Sequence, residues 1–224
     1  MPRSDFVLAG RPVVLRGLAA QWLPREFADW QSKADFVQSV GGVLAERSAI
    51  PYADAYGVDG GATGPIVEFV QRYMGAAWRG GGGSTPLAER PYIFDARATH
   101  PITVGMPPPP LVPPHYGAPA MRQFSLGGHG TGAPPHFHGE AFNGLLFGRK
   151  RWLFFRPRDA FFSRRPARAW WLQWTANDSN AVEGLSRRAQ QAIQDSGDVI
   201  YVPKYWGHAV VNLGDCGAVA FEYL

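Results

Sequence analysis

Residues 136–157 read HFHGEAFNGLLFGRKRWLFFRP, two apolar stretches that meet at the glycine and basic residues of GRKR. Similar segments lie on both sides: QFSLGG begins at residue 123, and AQQAIQ, DVIYVP, HAVVNL and AVAFEYL follow from residue 189. From residue 123 onward the chain thus carries seven β-like segments, with no helices alternating between them. This pattern predicts an antiparallel sandwich or small barrel rather than a parallel α/β sheet.

The first half of the chain reads differently, with two helical patterns. Apolar residues recur at helical spacing from about Leu23 to Val40, and a second helix is predicted from Ile66 to Met74, opened by Pro65. The proline-rich residues 101–118 cannot pair inside a sheet, because proline lacks the N–H donor. We therefore expect the helices to cover the outside of the β core. Short strands are predicted at residues 12–17, 43–50 and 91–95.

Composition excludes several classes of protein. Apolar residues make up 46% and charged residues 18% of the 224, which is typical of a globular chain. The net charge is +4, and the arginines are scattered rather than clustered in a stripe, so a nucleic-acid partner is not expected. The single cysteine, Cys216, rules out an intramolecular disulfide and a cysteine-based zinc cluster. No apolar run approaches a membrane span and no signal peptide is evident, so we expect a cytoplasmic or nuclear protein without membrane contact.

Histidine placement is the most informative chemical feature. His136, His138 and Glu140 alternate within a predicted strand, and side chains two apart on a strand share one face. His208 lies far along the chain, after a strand that Pro203 ends and a loop that contains a tryptophan. Pairing the two segments would bring His208 opposite the other three residues. Two ligands from one strand and one distant histidine is the facial arrangement that leaves open positions on a non-haem Fe(II).

These residues resemble the cupin superfamily, and within it the Jumonji-C (JmjC) oxygenases of the small stand-alone type. Gly130, five further residues and His-x-His look like the first cupin box, and residues 197–212 look like the second. Within the latter, Gly197-Asp-x-x-x-x-Pro-x-x-Trp-x-His208 is similar to the downstream JmjC signature. The resemblance implies a mainly β fold, a double-stranded β-helix (cupin or jelly roll) with flanking N-terminal α-helices. It covers nearly the whole chain, which we expect to form a single domain over residues 1–224, with N-terminal helices and entry strands in 1–120 and the metal-binding β core in 121–224.

The same resemblance implies cofactors and roles. His136 and His208 match the two metal-binding histidines of a site for Fe(II). Lys150 matches the lysine that receives the distal carboxylate of 2-oxoglutarate, the cosubstrate, and a carboxylate bound inside an apolar barrel needs such a buried cation. Asn143 and Thr131 are further candidates for contact with the cosubstrate. Asn143 lies seven residues before Lys150, so an ideal strand would place the two on opposite faces, and a bulge or turn between them is required.

The chain departs from the family at the second metal ligand, where His-x-Asp or His-x-Glu is usual and His136-x-His138 stands here. Three interpretations remain. His138 is the second ligand in a three-histidine site, or His138 and Glu140 form the His-x-Glu pair with His136 displaced, or Glu140 reaches the metal beside His136. An all-histidine site lowers the negative charge around Fe(II) and would weaken 2-oxoglutarate turnover.

The expected function is therefore an Fe(II)- and 2-oxoglutarate-dependent oxygenase that hydroxylates a protein or peptide side chain. Two alternatives stand beside it. One is a non-catalytic JmjC/cupin interaction protein with a structural metal or none. The other is a three-histidine dioxygenase for a small molecule that does not use 2-oxoglutarate.

Overall fold

The computed structural model describes residues 9–22, 30–51, 61–75, 90–97, 100–176 and 189–224. These residues form twelve strands and four α-helices. The helices are α1 (Ala19–Trp22), α2 (Lys33–Val40), α3 (Ile66–Tyr73) and α4 (Ala167–Ala176). The strands are β1 (Val13–Leu15), β2 (Leu44–Ser48), β3 (Ala62–Pro65), β4 (Tyr92–Asp95), β5 (Met121–Gly127), β6 (Gly132–His136), β7 (Glu140–Phe147), β8 (Arg149–Phe155), β9 (Gln190–Asp195), β10 (Val199–Val202), β11 (Gly207–Asn212) and β12 (Cys216–Tyr223).

The strands form two antiparallel sheets. The larger sheet has the order β1-β10-β7-β12-β5-β4-β2-β3, and the smaller has the order β6-β11-β8-β9. The last eight strands are divided equally between them, with β5, β7, β10 and β12 in the larger sheet and β6, β8, β9 and β11 in the smaller. This is the jelly-roll arrangement of a cupin, so the predicted fold class is confirmed.

The residues between the two sheets form the interior of the jelly roll. Ala141, Ile200 and Val202 from the larger sheet pack against Trp152, Phe154 and Val210 from the smaller one. Successive side chains along each of these strands point to opposite faces of the sheet, so the neighbouring residues point away from the interior. The outer faces of both sheets are therefore also apolar and need cover.

The N-terminal helices cover the outer face of the larger sheet, as the sequence predicts. Trp22 of α1 meets Phe221 of β12 edge to face, with ring centroids 5.3 Å apart. Phe36 of α2 stacks on Phe124 of β5 at 5.6 Å. On the smaller sheet, α4 provides the cover, and its Trp171 belongs to an apolar cluster with residues of β8 and β11.

Most of the predicted elements are confirmed within the described residues. The second predicted helix is α3, and the proline-rich residues 101–118 contribute no strand. Residues 23–29 of the first predicted helix lie outside the described residues, and its remaining part contains α2. The stretch HFHGEAFNGLLFG was wrongly predicted as one strand: β6 ends at His136, and β7 begins at Glu140 in the other sheet. No helix among the described residues has the length and hydropathy to cross a bilayer.

Candidate metal centre

Two histidines face each other across the pairing of β6 and β11. His208 is in register with His136, and their ring centroids are 4.1 Å apart. His138 follows in the turn after β6, and its ring lies 4.7 Å from that of His208. One ring nitrogen from each of the three histidines lies within 4.8 Å of the other two. The structure thus brings a strand end, a turn and a distant strand to one point.

Backbone carbonyls fix the orientation of all three rings. The Nδ1 atoms of His136, His138 and His208 lie 2.8, 2.8 and 3.0 Å from the carbonyl oxygens of Pro134, Gly139 and Trp206. A carbonyl oxygen only accepts hydrogen bonds, so a neutral ring in this position donates from Nδ1 and carries its lone pair on Nε2. Metal-binding histidines are commonly held in this way.

Burial keeps the rings of His136 and His208 neutral. His136 and His208 are only 6% and 3% exposed. Burial, together with the nearby His138 ring, lowers the pKa of His136 to about 3. Burial and the two neighbouring rings likewise lower the pKa of His208 well below its usual range. Because only a neutral imidazole can donate to a metal, these two rings are ready to bind one without first losing protons.

The three histidines line a cavity between the two sheets, and Lys150 lines the same cavity from β8. Lys150 is 2% exposed, and its Nζ donates to Ser125 Oγ at 3.3 Å and to Tyr92 Oη at 3.5 Å. No carboxylate oxygen of the described residues lies within 4.0 Å of this ammonium. Since a buried charge is costly unless it is paired, the position suits an anionic ligand.

The structure does not place Glu140 with the histidines. Because the chain turns between His136 and Glu140, the shared-face rule that the sequence prediction used does not apply. On β7, Ala141 and Asn143 line the cavity, so Glu140 has the opposite parity and points to the other face of the sheet. Its carboxylate accepts a hydrogen bond from Tyr201 Oη at 3.2 Å. Of the three interpretations of the second ligand, the geometry favours the three-histidine one.

Asn143 and Lys150 both reach the cavity, because the chain changes sheet between them. Gly148 joins β7 to β8 with a φ of +93°, a value that favours glycine. This is the turn that their spacing requires. The Asn143 amide oxygen accepts a hydrogen bond from Gln194 at 3.3 Å.

The structure does not bring Thr131 to the cavity. Its hydroxyl donates to the carbonyl of Gly128 at 2.8 Å and accepts from the Asn212 amide at 3.1 Å. Thr131 is not among the residues that line the cavity. Its position thus gives no support to the predicted contact with the cosubstrate, and its hydroxyl instead ties the turn before β6 to the end of β11.

Sequence reasoning missed four polar residues at this site: Tyr92, Gln123, Ser125 and Glu222. Two signals in the sequence point to the last three of them. Gln123 and Ser125 alternate with Phe124 on a strand, which puts two polar groups on one face of a buried sheet. Glu222 is the only charged residue in the apolar segment AVAFEYL, and it is 7% exposed in the structure.

Comparison with curated proteins supports a relationship to the JmjC proteins of the cupin superfamily. The chain is 32% identical over 109 residues to JmjC domain-containing protein 8 of Mus musculus, an alignment that covers 44% of this chain and 39% of the mouse protein. The Homo sapiens protein of the same name is 33% identical over 107 residues, covering 45% of this chain and 38% of the human protein. The chain spans about two fifths of the length of the curated relatives that it matches. No family model matches it.

Proposed function

We propose that this relative of the JmjC proteins is an Fe(II)- and 2-oxoglutarate-dependent oxygenase that hydroxylates a side chain of a protein or peptide. The observation that carries the proposal is one cavity that holds three converging imidazoles and a buried lysine without a carboxylate partner among the described residues. Imidazole nitrogens suit a divalent iron, and an ammonium suits the carboxylate of a small dicarboxylate.

Each group has its own task in this proposal. His136, His138 and His208 hold the metal through their Nε2 atoms, which the carbonyl contacts of Nδ1 leave with the lone pair. Bound Fe(II) would supply the oxidising chemistry by reacting with O2. Lys150 binds the distal carboxylate of 2-oxoglutarate, and Asn143 offers an amide from the opposite sheet. The apolar residues that line the rest of the cavity limit the entry of water.

The test compares two lysine variants of the iron-loaded protein, with 2-oxoglutarate binding measured by calorimetry and its conversion measured as succinate release. Lys150→Ala is expected to weaken binding at least tenfold, because the buried counter-charge is lost. Lys204→Ala removes an exposed lysine from the loop after β10 and is expected to leave binding unchanged. If the iron-loaded wild-type protein neither binds 2-oxoglutarate nor converts it, the oxygenase proposal is wrong.

A protein or peptide substrate is supported by the surface beside β6. Phe162 is 48% exposed and packs on Phe137, with the ring centroids 4.4 Å apart. Residues 163 and 164 come directly after it in the chain. The Ser163 N–H donates to the Pro135 carbonyl at 2.9 Å, one residue from His136. Arg164 and Arg165 are exposed in this segment, which favours an acidic peptide.

Replacing both arginines with glutamate is expected to lower the turnover of acidic peptides and spare neutral ones. A loss that is equal for both kinds of peptide would contradict this substrate class.

The all-histidine cluster specifically favours one second candidate, a dioxygenase that does not use 2-oxoglutarate. Such an enzyme would consume O2 with its own substrate and release no succinate. An interaction protein would show neither activity and would keep its fold. Oxygen consumption measured with and without 2-oxoglutarate separates the three functions.

A further inference from the structure

Glu222 is a buried carboxylate at the edge of the histidine cluster. It lies on β12 in register with Ala141 of β7, and it has the same parity as Ala220, which lines the cavity. Its exposed fraction is 7%. Glu222 therefore belongs to the inner face of the larger sheet, on the side opposite to Glu140.

Two of the three polar contacts of Glu222 lead to the turn that carries His138. Oε1 accepts a hydrogen bond from the Gly139 N–H at 3.3 Å and lies 3.9 Å from His138 Nδ1. Oε2 accepts a hydrogen bond from the Gln123 amide at 3.2 Å. Among the described residues, His138 is the only basic side chain with a nitrogen within 4.0 Å of this carboxylate. Within the part of the chain that the structure describes, Glu222 thus has hydrogen-bond partners but no permanently charged cation beside it.

Two charges in this region lack compensation, and they have opposite signs. A buried carboxylate without a cation is costly. A divalent metal held by three neutral histidines receives no negative charge from its protein ligands. When a metal binds Nε2 of His138, the ring becomes more positive while its Nδ1–H stays on the Gly139 carbonyl. The carboxylate of Glu222, 3.9 Å from Nδ1, then gains a nearby positive charge that balances its own.

We infer that Glu222 is a positioning residue for the metal centre: it holds the His138 turn through Gly139 and supplies, from outside the ligand set, the negative charge that the three histidines lack. The inference rests on the proposed metal binding but not on the oxygenase reaction. Glu222 on β12 would then supply the negative charge that the acidic residue of the usual His-x-Asp or His-x-Glu motif provides next to the first histidine.

The test measures Co(II) binding to the chelator-treated protein by calorimetry and by absorption. Glu222→Gln keeps the size of the side chain and removes its charge. We expect its Co(II) dissociation constant to rise 10- to 100-fold and its Co(II) absorption spectrum to shift, as for other residues that orient metal ligands. Glu140→Gln is the matched control, because it is the same substitution one strand away on the opposite face of the sheet. It is expected to change the dissociation constant less than threefold.

The outcomes separate the inference from the proposed function. If the wild-type protein binds no Co(II), the metal site itself is wrong. If the wild-type protein binds Co(II) and Glu222→Gln binds it equally well, or if both variants lose affinity to the same degree, the inference about Glu222 is overturned and the metal site stands. Should metal-free Glu222→Gln not melt cooperatively, Glu222→Asp replaces it. That variant keeps the charge but withdraws it by one methylene, and it should weaken Co(II) binding several-fold, whereas unchanged affinity would overturn the inference.

Discussion

At the scale of single residues, Lys150 shows what the sequence can and cannot predict. Lysine is rare in this arginine-rich chain, and the burial of Lys150 in the cavity is compatible with the role that the family resemblance implies. Its hydroxyl partners could not be predicted, because Tyr92 and Ser125 come from strands 58 and 25 positions away in the sequence. Contacts of this kind depend on register between strands, which no local pattern encodes.

His100 is a buried histidine outside the cavity, and its titration should destabilise the protein in acid. It is 1% exposed and stacks on Phe124 at 5.6 Å. Burial lowers its pKa, although the nearby Asp95 carboxylate opposes the shift. The folded protein therefore binds this proton more weakly than the unfolded chain does, and stability is lost as the pH falls below about 6.5, by up to about 1.4 kcal/mol per pH unit.

His100→Gln should reduce this pH dependence, because glutamine does not titrate. The measurement is the free energy of unfolding in urea at pH 7 and pH 5.5, with chelator present so that bound metal does not contribute. The wild-type protein is expected to lose more stability than the variant between these two pH values. Equal losses would mean that His100 takes up its proton without disturbing the fold.

At the scale of elements, the sequence predicted the strands better than the turns between them. His136, His138 and Glu140 alternate as a strand would, yet the chain bends at Gly139 and passes to the other sheet. A Cβ at Gly139 would overlap the carbonyl oxygen of Tyr223. The backbone of β12 therefore lies too close to this turn for any residue other than glycine. The shared-face rule holds only within one strand, and it therefore linked Glu140 to the wrong group. The pairing of His136 with His208 followed from the two cupin boxes and is confirmed in the register.

Gly148 should be the most sensitive of three turn glycines. A Cβ there would overlap the Asp215 carbonyl and the Cys216 sulfur, and its φ is +93°. Gly197 has a φ of +86° with no atom in the way, and Gly214 has neither constraint. Alanine is expected to cost about 3 kcal/mol at Gly148, about 1 kcal/mol at Gly197 and near zero at Gly214. Urea denaturation of the three variants gives the order, and a cost at Gly214 as large as that at Gly148 would contradict it.

Trp22 anchors α1 to the larger sheet, and its loss should expose the outer apolar face. Its ring covers Gly144 of β7, where a Cβ would overlap it, and its Nε1 donates to the Pro107 carbonyl at 2.7 Å. Trp22→Ala is expected to lower the free energy of unfolding by about 3–5 kcal/mol, because a large cavity opens beside Phe221. Leu172→Ala, at a residue 52% exposed, is the control and should cost under about 0.5 kcal/mol. Similar costs for the two variants would show that α1 is not anchored through Trp22.

At the scale of the whole molecule, the candidate site joins both sheets. The histidines belong to the smaller sheet and the turn beside it, whereas Glu222 and Asn143 come from the larger one. The seven β-like segments were enough to predict an antiparallel sandwich or small barrel, and the resemblance to the cupins then implied a jelly roll with a metal site inside it. The contribution of the larger sheet to that site was not predicted in full, because it comes from single polar residues in otherwise apolar strands.

Because the site joins both sheets, metal binding should stabilise the entire fold. Each tenfold increase in free Co(II) above its dissociation constant adds about 1.4 kcal/mol, or roughly 3–5 °C in melting temperature for a domain of this size. Chelator-treated protein titrated with Co(II) is expected to show this rise by calorimetry. His208→Ala removes one ring nitrogen of the cluster and should abolish the rise, provided that the chelator-treated variant still melts in one cooperative step. A rise of equal size in this variant would place the metal elsewhere, and no rise in the wild-type protein would mean that the three histidines do not form a metal site.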